Sequence, residues 1–272
     1  MTQTVAIEEK LRYAGGNYSN AQMLSVSAAK KKSQFKKIKI SCGIACCRFA
    51  ANGEPEILLI CKRFTYAYCI FIHSNYNTKS QEALSTLLNE MTLDEKMDIL
   101  SLNFDQMWFR VWYINEKTIT YAQMKNQFEL IHLIDDAGVG LRRAISVSNN
   151  KDRIWEIPKG HKASNNESEL VCAMREFYEE TGVAKTGYQL LSEQCVHYDY
   201  IENKILYKNK YFVAIANRKL NLNRVLSVDQ LKEISDIRWL NMAKIKLVDS
   251  SGRLETLVRS IFKKFKKQVV GF

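Results

Sequence analysis

Apolar residues fall at every second position from Ile38 onward, through Ile40, Cys42, Ile44 and Cys46. A period of two is that of a β-strand with one face on a core. Asn52-Gly53 follows, a dipeptide suited to a tight hairpin turn, and residues 56–62 (EILLICK) read as the partner strand. The period then changes. Over 80–102, Leu84, Leu87, Leu88, Met91, Met97 and Leu100 recur among polar residues at helical spacing. Residues 104–113 (FDQMWFRVWY) are dense in aromatic rings, and 118–135 again have helical spacing. Trp108 and Trp112, four apart on one helix face, read as core. Strand character returns at 153–157, 188–196, 205–216 and 234–240. Residues 254–265 set Leu254, Leu257, Val258, Ile261, Phe262 and Phe265 on one side of a helix whose polar side is rich in lysine. The pattern predicts an α+β chain. A mostly helical block, residues 65–150, interrupts a strand-rich domain made from 37–64 and 151–272, and a polar arm, 1–36, precedes both.

Charge sharpens this picture. The 272 residues hold 40 basic and 29 acidic side chains, a net of +11. Residues 1–40 carry eight basic and two acidic residues, and 253–272 carry six and one, so the two ends hold the whole excess. Lys30, Lys31, Lys32, Lys36 and Lys37 cluster at one end, and Lys263, Lys264, Lys266 and Lys267 at the other. Such ends suit a polyanion: nucleic acid, an anionic membrane surface or a polyphosphate. Solvated surface charge is the plainer alternative. No run of 18 apolar residues exists, so no membrane span is expected, and no apolar signal segment points to secretion. Seven cysteines without a CxxC pair read as reduced core thiols in a cytosolic protein.

Residues 155–183, WEIPKGHKASNNESELVCAMREFYEETGV, carry the chemistry. Asn166 and Glu169 have the spacing of a capping box, which predicts a helix from about Glu167. Leu170, Val171, Met174, Phe177 and Tyr178 are its expected buried side, and Gly182 its end. Glu176, Glu179 and Glu180 then share one face, with Arg175 four residues before Glu179. Clustered carboxylates repel each other, and hard cations such as Mg²⁺ or Mn²⁺ take that set of oxygens. An ordinary acidic helix face is the alternative. The Pro158-Lys159-Gly160 loop favours the cation. Its glycine permits close backbone approach, and Lys159 and Lys162 add positive charge for a phosphate.

The segment resembles the signature of the Nudix family: a glycine, five residues, a glutamate, seven residues, then R-E-U-x-E-E-x-G-U, where U is bulky or aliphatic. Gly160, Glu167, Arg175, Glu176, Phe177, Glu179, Glu180, Gly182 and Val183 fill it. Six residues rather than five separate Gly160 from Glu167. With His161 as the extra residue, Lys162 takes the place of a lysine common in decapping members. The segments at 62–73, 104–112, 155–160 and 233–239 extend the resemblance to viral decapping members across residues 37–265. The resemblance implies a Nudix α/β/α sandwich with a mostly helical insertion domain. It also implies a metal-dependent pyrophosphohydrolase that removes the 5′ cap of mRNA, releasing 7-methyl-GDP and 5′-monophosphate RNA in the cytoplasm of an infected host cell, near rough endoplasmic reticulum.

On that resemblance, Glu176, Glu179 and Glu180, with the Gly160 carbonyl, are the implied ligands of Mg²⁺ or Mn²⁺. Arg175 orients Glu179, Glu167 stands behind the ligands, and Glu233 in EISDIRW is the candidate general base. Lys159, Lys162, Tyr68, Phe71 and Tyr198 are candidate substrate contacts, with Tyr66 and Tyr200 as further rings for the cationic cap purine. His73 and His197 read as packed histidines. The terminal lysines are candidate RNA contacts. Alternative readings are hydrolysis of diphosphoinositol polyphosphates or free nucleotides, and a non-catalytic RNA-binding protein, against which the intact carboxylate set argues. The aromatic insertion also makes a homodimer conceivable.

Overall fold

The computed structural model describes residues 37–113, 119–134, 136–202, 204–217, 220, 222 and 226–270. The 1–36 arm, with Lys30, Lys31, Lys32 and Lys36, lies outside them. Strand β1 (Lys37–Phe49) turns through Gly53, at φ 79°, into β2 (Pro55–Lys62). Cys47 faces Ile57 and Phe49 faces Pro55 across this antiparallel pair. Six helices follow: α1 (Tyr66–Ile72), α2 (Gln81–Asn89), α3 (Leu93–Ser101), α4 (Phe104–Trp112), α5 (Ile119–His132) and α6 (Val139–Ser146). The chain then forms the short β3 (Trp155–Glu156) and β4 (Lys159–Gly160), α7 (Glu169–Thr181), β5 (Tyr188–Glu202) and β6 (Ile205–Ala216). It ends with α8 (Val228–Glu233), β7 (Ile234–Leu240), α9 (Met242–Val248) and α10 (Arg253–Val270).

Among the described residues seven strands make one sheet in the order β3-β2-β1-β6-β5, with β4 also on β1 and β7 on β2. Cys42, Ile44 and Cys46 of β1 pack on one face with Cys172, Ala173 and Phe177 of α7. Ala45 and Cys47 pack on the other with Ile245 of α9 and Leu257, Val258, Ile261, Phe262 and Phe265 of α10. The fold is therefore a sheet between helices with a helical insertion. β1 departs from the expected half-buried strand. It is buried on both faces from Ser41 to Cys47, while Ile38 and Ile40, expected inside, are about half exposed. All seven cysteines are free thiols.

The six helices carry their own core. Tyr68, Phe71, Leu88, Met91 and Met107 are fully buried there, with Phe104, Trp108 and Phe128 beside them. Phe71 meets Phe128 edge-on with centroids 5.8 Å apart, and its full burial contributes roughly 2–3 kcal/mol. Two capping boxes, Thr92 with Glu95 and Asn103 with Gln106, start α3 and α4. Glu95 also accepts from the N–H and hydroxyl of Thr65, the N-cap of α1, so one buried carboxylate ties two helix starts together.

Two compact units divide the chain. One comprises Ser41–Tyr198 and Asn209–Phe272, and holds all three apolar clusters described above. The other, among the described residues, is the start of β1 (37–40) and the turn end of the β5–β6 hairpin (199–208). Among the described residues no helix is long and apolar enough to cross a membrane.

Candidate active site

The site is built where β4 and α7 meet. β4 pairs with β1, Cys42 facing Gly160 and Gly43 facing Lys159. Gly43 is required there, because a Cβ would lie 2.2 Å from the Pro158 carbonyl oxygen. Pro158 has no N–H to donate, so the expected strand at 153–157 stops at Glu156 and resumes at Lys159. The start of α7 differs from its sequence reading. Ser168, not Asn166, is the N-cap, and its hydroxyl accepts from the Val171 N–H. Val171 and Tyr178, expected inside, share a solvent-facing stripe, while Phe177 faces the sheet as expected, joined by Cys172 and Ala173. Gly182 ends the helix in the left-handed region at φ 59°.

Glu180 is buried. Its Oε1 accepts from Lys62 Nζ at 2.7 Å and its Oε2 from the Lys159 N–H at 2.9 Å. Burial pushes its carboxyl up to about 7, against the pull of Lys62. Lys62, at the end of β2, also lies 3.5 Å from Glu156 and 3.7 Å from the exposed Glu233. Burial would lower the Lys62 pKa, but Glu156 and Glu180 outweigh it and raise it. Lys159 turns its ammonium inward to Glu156. That pairing and Lys62 hold Glu156 below the usual carboxylate range despite its burial.

Arg175 organises the other half. Its Nε and Nη2 donate to both oxygens of Glu167, at 2.8 and 3.1 Å. Nη1 donates to Glu176 at 2.8 Å and Glu179 at 2.9 Å, and Nη2 also to the His161 carbonyl at 2.8 Å. Hydrogen bonding by Arg175 holds Glu167 down to about 2. Glu167 also accepts from the Ala163 N–H at 2.7 Å, so the longer loop still delivers this glutamate to the arginine. Gly160 packs directly on Glu176: a Cβ there would come within 2.1 Å of the carboxylate. Glu176 is raised by burial, with Arg175 opposing.

The NUDIX domain profile matches residues 131–259. The mRNA-decapping protein g5R of African swine fever virus (isolate Pig/Kenya/KEN-50/1950) is 35% identical over 235 residues, 83% of this chain and 95% of its own. The chain belongs to the Nudix family. A putative mRNA-decapping protein of Acanthamoeba polyphaga mimivirus is 35% identical over 102 residues, 34% of this chain and 27% of its own. Among solved structures, a C. elegans Ap4A hydrolase superposes with a TM-score of 0.42 at 17% identity, over 86% of this chain and 98% of its own.

Nudix hydrolases generally use divalent metal ions. As placed, no three His, Cys, Asp or Glu side chains among the described residues converge on one point. The oxygens of Glu180 are occupied by Lys62 and the Lys159 N–H, and Glu176 and Glu179 share Arg175. The donors nonetheless suit a hard cation, since all are carboxylates and the glycine facing Glu176 leaves no Cβ in the way.

The Nudix residues thus gather at one place, and the aromatic candidates divide. Tyr68 and Phe71 are wholly buried in the helical core and offer no ring face to a ligand. Tyr198 is half-buried against the α10 side of the sheet. Tyr66 is well exposed, and the Glu156 carboxylate pushes its phenol up to about 12, which places it beside the charged cluster. Lys162 is exposed. His73 packs against Trp108 and Trp112. Lys37, Lys263, Lys266 and Lys267 are exposed and Lys264 half-buried.

Lys62 and Glu156 escaped the sequence reading. Glu156 is a single charge between Trp155 and Ile157, and Lys62 is the first of a Lys-Arg pair after the buried run of β2; that position is their only signal. A cavity of 180 Å³ shares Lys62 with the site and is lined by Arg63, Phe64, Asp94, Asp98 and Arg153.

Proposed function

We propose that this Nudix protein removes the 5′ cap of mRNA by hydrolysing its pyrophosphate linkage, releasing 7-methyl-GDP and leaving a 5′-monophosphate on the RNA. The observation that carries the reading is the carboxylate face of α7 packed on Gly160. The near full-length likeness to an mRNA-decapping protein supports the substrate.

Glu176, Glu179 and Glu180, with the Gly160 carbonyl, would hold Mg²⁺ or Mn²⁺. Such an ion neutralises charge on the phosphate oxygens and makes bound water a better nucleophile. Arg175 keeps Glu176 and Glu179 aimed by holding one oxygen of each. Lys62 and the Lys159 N–H do the same for Glu180. Glu233, exposed and 3.7 Å from Lys62, would accept a proton from the attacking water. Tyr66 offers the cationic purine an exposed ring at the edge of the cluster. The terminal lysines would hold the RNA body.

Cap-labelled RNA tests this reading, with product analysis in Mg²⁺ or Mn²⁺. Wild-type protein should release 7-methyl-GDP, and Glu180→Gln should release it at least a hundredfold more slowly. Absence of metal-dependent release by the wild type would remove the cap as substrate. Preference for diphosphoinositol polyphosphate in a parallel assay would replace it.

A further inference from the structure

We infer that the turn end of the β5–β6 hairpin, with the start of β1, is a docking platform for single-stranded RNA. The inference rests on the RNA reading above, but uses none of the residues that would cut the cap.

The rings of Tyr200 on β5 and Tyr207 on β6 stack nearly parallel, 4.9 Å between centroids and 10° between planes. Lys39 of β1 places its ammonium 5.4 Å from the centre of the Tyr207 ring. Lys37 lies two residues earlier on the same strand, so strand alternation puts it on the same face. Lys204 sits in the hairpin turn, exposed, in the left-handed region at φ 62°. That conformation disfavours a residue other than glycine, and here it projects a cation at the tip of the hairpin. Asp199 and Glu202 are the acidic residues of this stretch, against Lys37, Lys39, Lys204 and Lys208. Among the described residues none of these four lysines pairs with a carboxylate.

Stacked aromatic rings bordered by unpaired cations suit a chain that alternates flat bases with phosphates. Each base has a face for stacking and each phosphate seeks a lysine. Acidic protein partners would use the lysines and could pack on the rings, but they do not alternate flat π-faces with anions at a fixed spacing as bases and phosphates do. An anionic membrane would take the lysines at its headgroups and let the rings enter the interface, where nothing stacks on them. The rings together with the cations therefore favour RNA.

The test uses full-length protein with EDTA and an uncapped 5′-monophosphate RNA of about 30 nucleotides. Binding is then read with no hydrolysis, and its outcome is independent of whether caps are cut. Fluorescence anisotropy is measured from low to high salt for wild type, a Lys37→Gln/Lys39→Gln/Lys204→Gln variant and Tyr207→Leu. The lysine variant should bind about tenfold more weakly near 0.1 M salt and lower the salt slope by about 2, since each single-strand phosphate contact contributes about 0.7. Tyr207→Leu should weaken binding about fivefold and leave the slope as in wild type, because stacking releases no counterions. Thermal melting verifies that both variants fold. Unchanged RNA affinity and slope in the folded lysine variant would overturn the inference. So would unchanged RNA affinity in the lysine variant together with lost binding to phosphatidylserine vesicles, read in parallel by co-sedimentation.

Discussion

Lys62 is the residue on which the charged cluster turns. Its ammonium faces Glu156, Glu180 and Glu233, and it is the counter-ion of a carboxylate that burial alone would neutralise. Lys62→Met removes that counter-ion and keeps the apolar stem. Breaking a buried pair from one side forces Glu180 to take up a proton at neutral pH or to stay charged without a partner, and costs about 3 kcal/mol. The variant should melt several degrees lower than wild type at neutral pH, and Lys62→Arg should recover part of the loss. An unchanged melting temperature in Lys62→Met would show that Glu180 needs no partner. Arg175 is equally loaded but sits nearer the surface, where water shares the screening.

At the level of elements, α7 and β4 act as one unit. The helix is capped at both ends, by the Ser168 hydroxyl and by left-handed Gly182. The Gly160–Glu176 contact is different, because a Cβ at Gly160 would overlap the Glu176 carboxylate, the movable end of its side chain. Gly160→Ala forces the Glu176 carboxylate aside while leaving both caps intact. The expected result is a fall of about a hundredfold in kcat for cap hydrolysis with little change in helical circular dichroism, since displacement of about 1 Å is enough to misalign a reacting site. A variant with full activity would show that Glu176 tolerates displacement. The elements themselves were readable because their periods are local. β6 and β7 fall on 205–216 and 234–240 as expected. The misreadings concern faces. β1 alternates in sequence yet is covered on both sides, and Val171 and Tyr178 carry apolar side chains into solvent. Which face is covered depends on what arrives from elsewhere in the chain.

For the molecule as a whole, the helical core holds a pH-sensitive group. His132 is buried between Phe71 and Phe128, and its Nε2 lies 2.9 Å from the Tyr76 hydroxyl. Burial lowers its pKa from 6.5 to about 4. Above pH 6.5 the imidazole is neutral folded or unfolded, and contributes no pH dependence. Between 6.5 and 4 the unfolded chain binds a proton that the folded chain refuses, so stability falls as pH falls. At pH 5 the loss is about 2 kcal/mol. Glu180, with its carboxyl raised, acts in the opposite sense, and comparison with His132→Gln cancels its effect. Wild type should therefore lose about 2 kcal/mol more than His132→Gln between pH 7 and pH 5 in urea unfolding. Equal losses would mean that His132 titrates normally in the folded state.

The sequence by itself determined the family, the positions of the longer strands and helices and the grouping of three glutamates on one helix face, because each rests on spacing within a short stretch of chain. Tertiary structure alone decided the rest. It brought Lys62 to Glu180 from 118 residues away, and placed Glu233 near the same ammonium. It withdrew Tyr68 and Phe71 into a core and left Tyr66 at the site's edge. The reason is common to these outcomes: burial and charge pairing are properties of neighbours in space, and spacing along the chain records only neighbours in sequence. The excess of lysine at the two ends stands between these cases. Its existence is a fact of sequence, and the proposed grip on RNA would depend on which lysines the fold sets beside rings.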